Sequence, residues 1–176
     1  MSLPFQHPDV AFAIETVRQA GILARTIQEE LVEPALSKQD HSPVTVADFA
    51  VQALVGCLLE KAYPGVPLVA EENSARLREG AGRSMLLQVA HFVGQFLAYA
   101  SPETVCGWID RGNSTPAERF WVLDPIDGTK GFLRREQYAV ALALVTGEGV
   151  QMSALACPNL NDALYPIRGG AGTLAV

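Results

Sequence analysis

Cysteine is scarce in this 176-residue chain: Cys57, Cys106 and Cys157 are odd in number and widely spaced. They match neither a disulfide framework nor a zinc motif, so reduced thiols in a cytosol-like compartment are expected. Basic residues are also in short supply, with 13 Lys and Arg against 19 Asp and Glu and a formal charge of −6. A nucleic-acid backbone binder needs clustered Lys and Arg to release counterions, and that class is disfavoured. No apolar stretch is long enough to span a bilayer. The opening MSLPFQHPDVAFAIE lacks both the basic-then-apolar layout of a secretory leader and the Arg and Ser enrichment of a transit peptide. A cytoplasmic protein with no membrane partner is the expectation. Internal repeats and low-complexity tracts are missing too. What remains is 49% hydrophobic and 18% charged, the composition of a single globular domain with a sizeable core.

Hydrophobic spacing lays out alternating elements. Val10, Ala13, Ile14, Val17, Ala20, Ala24, Ile27 and Leu31 recur at helical spacing until Pro34. A second helix is predicted from near Thr45 through Phe49, Leu54, Val55 and Leu58 to the breaker Tyr63-Pro64-Gly65. Pro67 to Ala70 reads as a short strand that ends in Glu71-Glu72. Ser84 to Tyr99 is again helical, and Ser101-Pro102 ends it. After the loop-like Arg111 to Pro116, strands are predicted at Phe120–Leu123, Tyr138–Val145 and Val150–Ala156, the last two joined by a turn at Gly147-Glu148-Gly149.

The run Phe120-Trp121-Val122-Leu123-Asp124-Pro125-Ile126-Asp127-Gly128-Thr129 carries the chemistry. Its apolar residues suit a buried strand, Pro125 holds Asp124 extended, and Gly128 permits a tight turn whose N–H groups can face an anion. Asp124, Asp127 and the carbonyl of Ile126 are hard oxygen donors of the kind magnesium takes, and Glu71 at a strand end is a second source. A bare Asp-Pro or Asp-Gly pair also fits a simple turn. Thr45-Val46-Ala47-Asp48 fits a helix capping box. Glu71 and Glu72 occupy successive strand positions and point to opposite faces, so one of them at most is a direct ligand. Lys38, His41 and Lys130 are candidate phosphate neighbours or solvated surface, and Trp108 and Trp121 read as core.

Three segments in order, Ser42-Pro43-Val44-Thr45-Val46-Ala47-Asp48, Leu68-Val69-Ala70-Glu71-Glu72 and Trp121 to Val145, resemble the motifs of the lithium-sensitive, magnesium-dependent phosphatases. That superfamily includes inositol monophosphatase, inositol polyphosphate 1-phosphatase and 3′(2′),5′-bisphosphate nucleotidase. The wording DGTKGFLR, QYAVALAL and ALACPN, with the long interval between Glu72 and Trp121, is most similar to the nucleotidase branch, and the likeness extends to about Pro158. The resemblance implies an α/β (α+β) fold, a layered α-β-α sandwich of the inositol monophosphatase type, chiefly its N-terminal half. It implies metal ligation by Glu71, Asp124, Ile126 and Asp127, with Mg2+ as cofactor and two ions activating water. Asp48 is the implied general base with Thr129 as relay, Glu71 shares the catalytic work, and Gly128 and Thr129 hold the substrate phosphate. The implied reaction converts 3′-phosphoadenosine 5′-phosphate to AMP and phosphate, a step of sulfur metabolism. Inositol polyphosphate 1-phosphatase is the alternative.

Relatives continue into a later Trp-Asp motif that supplies a further metal carboxylate, and this chain shows none; Asp162 is a poor match for it. The expectation is therefore a single N-terminal metal-dependent phosphatase domain over residues 1–176, truncated, with the C-terminal domain missing. Self-association through uncovered surfaces and a non-catalytic phosphate- or metal-binding role follow as alternatives.

Overall fold

A computed structural model describes residues 6–31, 43–80, 82–161, 165–166 and 171–176. Helix α1 spans Pro8–Leu31 and buries most of the predicted stripe, with Val10, Ala13, Val17, Ala20, Ala24 and Ile27 essentially inaccessible and Ile14 and Leu31 half-buried; Leu23, outside that stripe, is buried too. Helix α2 spans Pro43–Ala62. Its proline sits in the first turn, where a missing N–H costs nothing. Thr45 is therefore already helical, which removes it from the cap position that a Thr45–Asp48 capping box requires. Asp48 lies a turn further in. Most of α2 is apolar all round, and Ala47, Ala50, Val51, Ala53, Leu54, Val55 and Leu59 are fully buried. A helix of that kind belongs in the middle of a layered protein.

Strand β1, Leu68–Val69, leads into a 3₁₀ turn at Ser74–Leu77 and helix α3 at Gly82–Gly94. Helix α4, Pro102–Asp110, was not expected. Ser101-Pro102 does stop the preceding pattern, but it also starts a new helix. The Ser101 side chain accepts from the Thr104 N–H while Thr104 reaches back to the Ser101 N–H, and Pro102 opens the first turn. Strand β2, Arg119–Asp127, runs on past Leu123 into the signature, followed by the short helix α5, Thr129–Arg134. Strands β3, Ala139–Thr146, and β4, Gly149–Cys157, form the expected hairpin. The small pair β5, Leu160–Asn161, and β6, Tyr165–Pro166, precedes β7, Thr173–Ala175.

The main sheet has the order β1-β2-β3-β4-β7. β1 runs parallel to β2 and the remaining pairs are antiparallel. One face presents Trp121, Leu123, Val140, Leu142, Leu144, Met152, Ala154 and Ala156, all buried, against α1 and α2. α3 and α4 pack on α2 in turn. The other face, with Val122, Ala141, Ala143 and Leu155, is half-buried. The α+β class expected from the sequence is thus present. Trp121 is fully buried and packs its ring 5.6 Å from those of Phe12 and Tyr63, a core role as expected. Among the described residues no helix is long and apolar enough to cross a membrane.

Candidate active site

The parallel pairing of β1 with β2 assembles the site. Leu68 stands opposite Trp121 and Val69 opposite Val122. Parallel neighbours end at the same edge of a sheet, so the chain just beyond Val69, Glu71-Glu72, emerges beside the chain just beyond Val122, Asp124 to Asp127. β2 and β3 pair regularly down to Asp124 opposite Ala141, then the register breaks before Asp127 opposite Ala139. Pro125, which has no N–H for the ladder, falls in that break. Gly128 then turns the chain at φ 91°, ψ 44°, a left-handed conformation, and even a Cβ there would crowd the Gln137 carbonyl and Tyr138 Cα at 3.4 Å. As the N-cap of α5 it offers no side-chain acceptor, which leaves the first amides of that helix to solvent or an anion.

Mutual repulsion marks the carboxylates as one group. Asp48 is pushed up to about 8, first by burial and then by the negative charges of Glu72, Asp124 and Glu71. Burial also raises Asp124, helped by Asp127 and Glu71 and opposed by a hydrogen bond from the Ile126 backbone. Glu72 is raised by burial and by Glu71, against the opposing charge of Arg76. Asp48, Glu72 and Asp124 are thus partly buried carboxyls whose ionisation burial and neighbouring negative charge disfavour, while Glu71 and Asp127 are exposed beside them.

Asp48 feels the charges of Glu72, Asp124 and Glu71, and Asp124 those of Asp127 and Glu71. Glu72 is more deeply engaged than a solvated residue, being half-buried and the first charge to act on Asp48. The Ile126 side chain is in the core, 4% exposed. Thr129 and Lys130 are exposed at the start of α5, and no hydrogen bond joins Asp48 to Thr129 among the described residues. Among those residues, no group of three or more His, Cys, Asp and Glu side chains is drawn together closely enough to hold a metal ion. The donor chemistry nonetheless fits a hard divalent cation. The recess offers oxygen donors only, with an excess of negative charge that such a cation neutralises, and magnesium fills the rest of its sphere with water. Lys38, His41 and Asp162 lie outside the described residues.

Sequence reasoning passed over Gln52, a fully buried amide one turn beyond Asp48 on α2. A lone Gln in the run Ala50-Val51-Gln52-Ala53-Leu54 was its signal. It also passed over Asp110, whose carboxylate accepts from the Ser74 N–H at 2.8 Å and the Ser74 hydroxyl at 2.7 Å and so ties the segment after Glu72 to α4.

The sequence model of the inositol monophosphatase family matches residues 6–174. The chain belongs to the inositol monophosphatase family. Within it, the chain is 41% identical over 177 residues to a 3′(2′),5′-bisphosphate nucleotidase of Oryza sativa, covering 93% of this chain and 49% of that protein. It is 44% identical over 154 residues to 3′(2′),5′-bisphosphate nucleotidase 1 of Arabidopsis thaliana, covering 80% and 44%. The chain spans about half the length of the curated relatives it matches. Among solved structures, CysQ from Bacteroides thetaiotaomicron, a bacterial member of the inositol monophosphatase family, superposes with a TM-score of 0.54 at 22% identity, over 88% of this chain and 44% of that one. This likeness supports the family fold.

Proposed function

We propose that this chain is the N-terminal metal-dependent phosphatase domain of a 3′(2′),5′-bisphosphate nucleotidase, which hydrolyses 3′-phosphoadenosine 5′-phosphate to AMP and phosphate with Mg2+. The observation that carries this reading is the end of β1 beside β2, which brings the Glu71-Glu72 segment near Asp124 and lets both act on Asp48. The names of the relatives in rice and Arabidopsis support the substrate.

In this reading Glu71, Asp124, Asp127 and the Ile126 carbonyl hold the cations. A bound pair of magnesium ions supplies Lewis acidity toward the phosphoryl oxygens and neutralises the developing charge. The amides of Gly128 and Thr129 receive phosphate oxygens at the start of α5. Asp48 accepts the proton of the attacking water on its carboxylate, with the Thr129 hydroxyl as relay. Burial and the charges of Glu72, Asp124 and Glu71 raise Asp48 without metal, and cations on Glu71 and Asp124 would offset that charge and favour the ionised form that accepts a proton. The water oxygen bonds to phosphorus as the bond to the ribose 3′-oxygen breaks, and that oxygen takes a proton from solvent to become the 3′-hydroxyl of AMP.

The test is phosphate release by the purified chain from 3′-phosphoadenosine 5′-phosphate, inositol 1,4-bisphosphate and inositol 1-phosphate, with and without Mg2+. Magnesium-dependent release from the nucleotide is expected. Release from an inositol phosphate alone would overturn the substrate assignment. No release from any of the three by a folded chain would leave a domain that binds metal or phosphate without turnover.

A further inference from the structure

Gln52 lies outside the three signature segments, yet its amide is fully buried and holds three backbone atoms. Its Oε1 accepts from the Glu72 N–H at 3.0 Å. Its Nε2 donates to the Glu72 carbonyl at 2.6 Å and to the Ile109 carbonyl at 2.7 Å. The side chain thus pairs with Glu72 as a neighbouring strand would, satisfying both of that residue's backbone groups after β1 has ended. Ile109 belongs to the last turn of α4, and Gly112 just beyond that helix accepts from the Ala70 N–H at 2.9 Å. The acid-bearing segment is therefore tied to α4 on one side and to α2 on the other. Gln52 makes the second tie. It follows Asp48 by four residues, and positions four apart share a helix face.

The chemistry of an amide suits this place. A neutral side chain that is both donor and acceptor holds Glu72 beside α2 without adding charge. A carboxylate at position 52 has no proton for the two carbonyls, and an apolar side chain leaves the Glu72 N–H and carbonyl without this partner, while the Ile109 carbonyl keeps the Gly112 N–H at 2.9 Å. Gly112 keeps the space clear, because a Cβ there would collide with the Gln52 Nε2.

We infer that Gln52 is a positioning residue, which holds the Glu72 backbone against α2 and so fixes where the Glu71-Glu72 pair stands relative to Asp48 when a divalent cation binds. This rests on reading those acids as the metal site. The experiment titrates the metal-free chain with Mn2+, followed by electron paramagnetic resonance, for the wild type, Gln52→Met, Gly112→Ala and Asp124→Asn. Near-ultraviolet circular dichroism and urea unfolding in chelator report the fold of each. Expected are binding by the wild type, loss in Asp124→Asn, and affinity lowered about 10- to 100-fold in folded Gln52→Met, the range for a group that orients metal ligands. Gly112→Ala shifts the amide tip without deleting it, and a smaller loss is expected; this variant decides the matter if Gln52→Met does not fold. A role in stability alone would lower the urea midpoint and leave the affinity of folded molecules at the wild-type value, and that result overturns the inference while keeping the metal site. Folded wild type that binds no Mn2+ overturns the site itself.

Discussion

Asp9 and Asp48 are both substantially buried aspartates on neighbouring helices, and their surroundings could hardly differ more. Asp9, 6% exposed, accepts from Arg119 Nη2 and from the Tyr63 hydroxyl, each at 2.8 Å. Those contacts join α1 to the start of β2 and the end of α2. Its charge is compensated inside the protein. Asp48 faces Glu72, Asp124 and Glu71, three further acids, and burial and their charge push it up to about 8. A buried carboxylate with a guanidinium and a phenol fastens elements together. One surrounded by carboxylates costs stability unless something from outside neutralises it, and that asymmetry separates the acid that serves the fold from the acid that serves the proposed chemistry.

Substitutions on the two sides of this comparison are expected to act in opposite directions. The largest effect is on turnover: Asp124→Asn or Glu71→Gln should abolish magnesium-dependent phosphate release, and full activity in either variant would refute the proposed site. Next is Asp9→Ala, which strands the Tyr63 hydroxyl and Arg119. It should destabilise the chain by about 2–3 kcal/mol in urea unfolding, the range for removing a hydrogen-bonded charge from a pair whose arginine is partly exposed.

Magnesium should stabilise the wild type by about 2.7 kcal/mol at a hundredfold excess over its Kd, and Asp124→Asn by far less. Equal shifts in melting temperature would break the comparison. Asp48→Asn should stabilise the metal-free chain while removing its activity. A carboxyl raised in the folded state contributes stability that is complete below the ordinary carboxylate range and is lost as pH rises through about 8. The gain should therefore be small near pH 4 and grow as pH rises toward 8. Urea midpoints for both proteins across that interval read it directly, and a gain that shrinks toward high pH contradicts the crowding. The smallest effect is Lys130→Ala, an exposed change expected to move stability by no more than about 0.5 kcal/mol.

Much of the architecture was legible before any coordinates. The α1 stripe, the end of α2 at Tyr63-Pro64-Gly65, and the β3–β4 hairpin all follow from local spacing and turn residues. Helix α4 was missed because Ser101-Pro102 is an equally good stop and start. The reach of β2 through Pro125 was missed because a proline inside an apolar run looks like an end, whereas here it falls in a register break. The signature acids stood out by type and order. Gln52 did not, since a single amide in an apolar helix has no periodicity of its own.

What the sequence determined by itself was therefore the inventory: an acidic chain with few cysteines, most of its longer helices and strands, and carboxylates in the order Asp48, Glu71-Glu72, Asp124 and Asp127. Local interactions suffice for that, because helix caps, turns and hydrophobic period are written within a few residues of where they act. Only the tertiary structure decided that β1 lies parallel to β2, that Asp48 is partly buried within reach of the charges of Glu72, Asp124 and Glu71, and that the Gln52 amide ties two of those segments together. Strand pairing and burial depend on residues far apart in the chain, and a charge has no measure of its neighbours until folding brings them near.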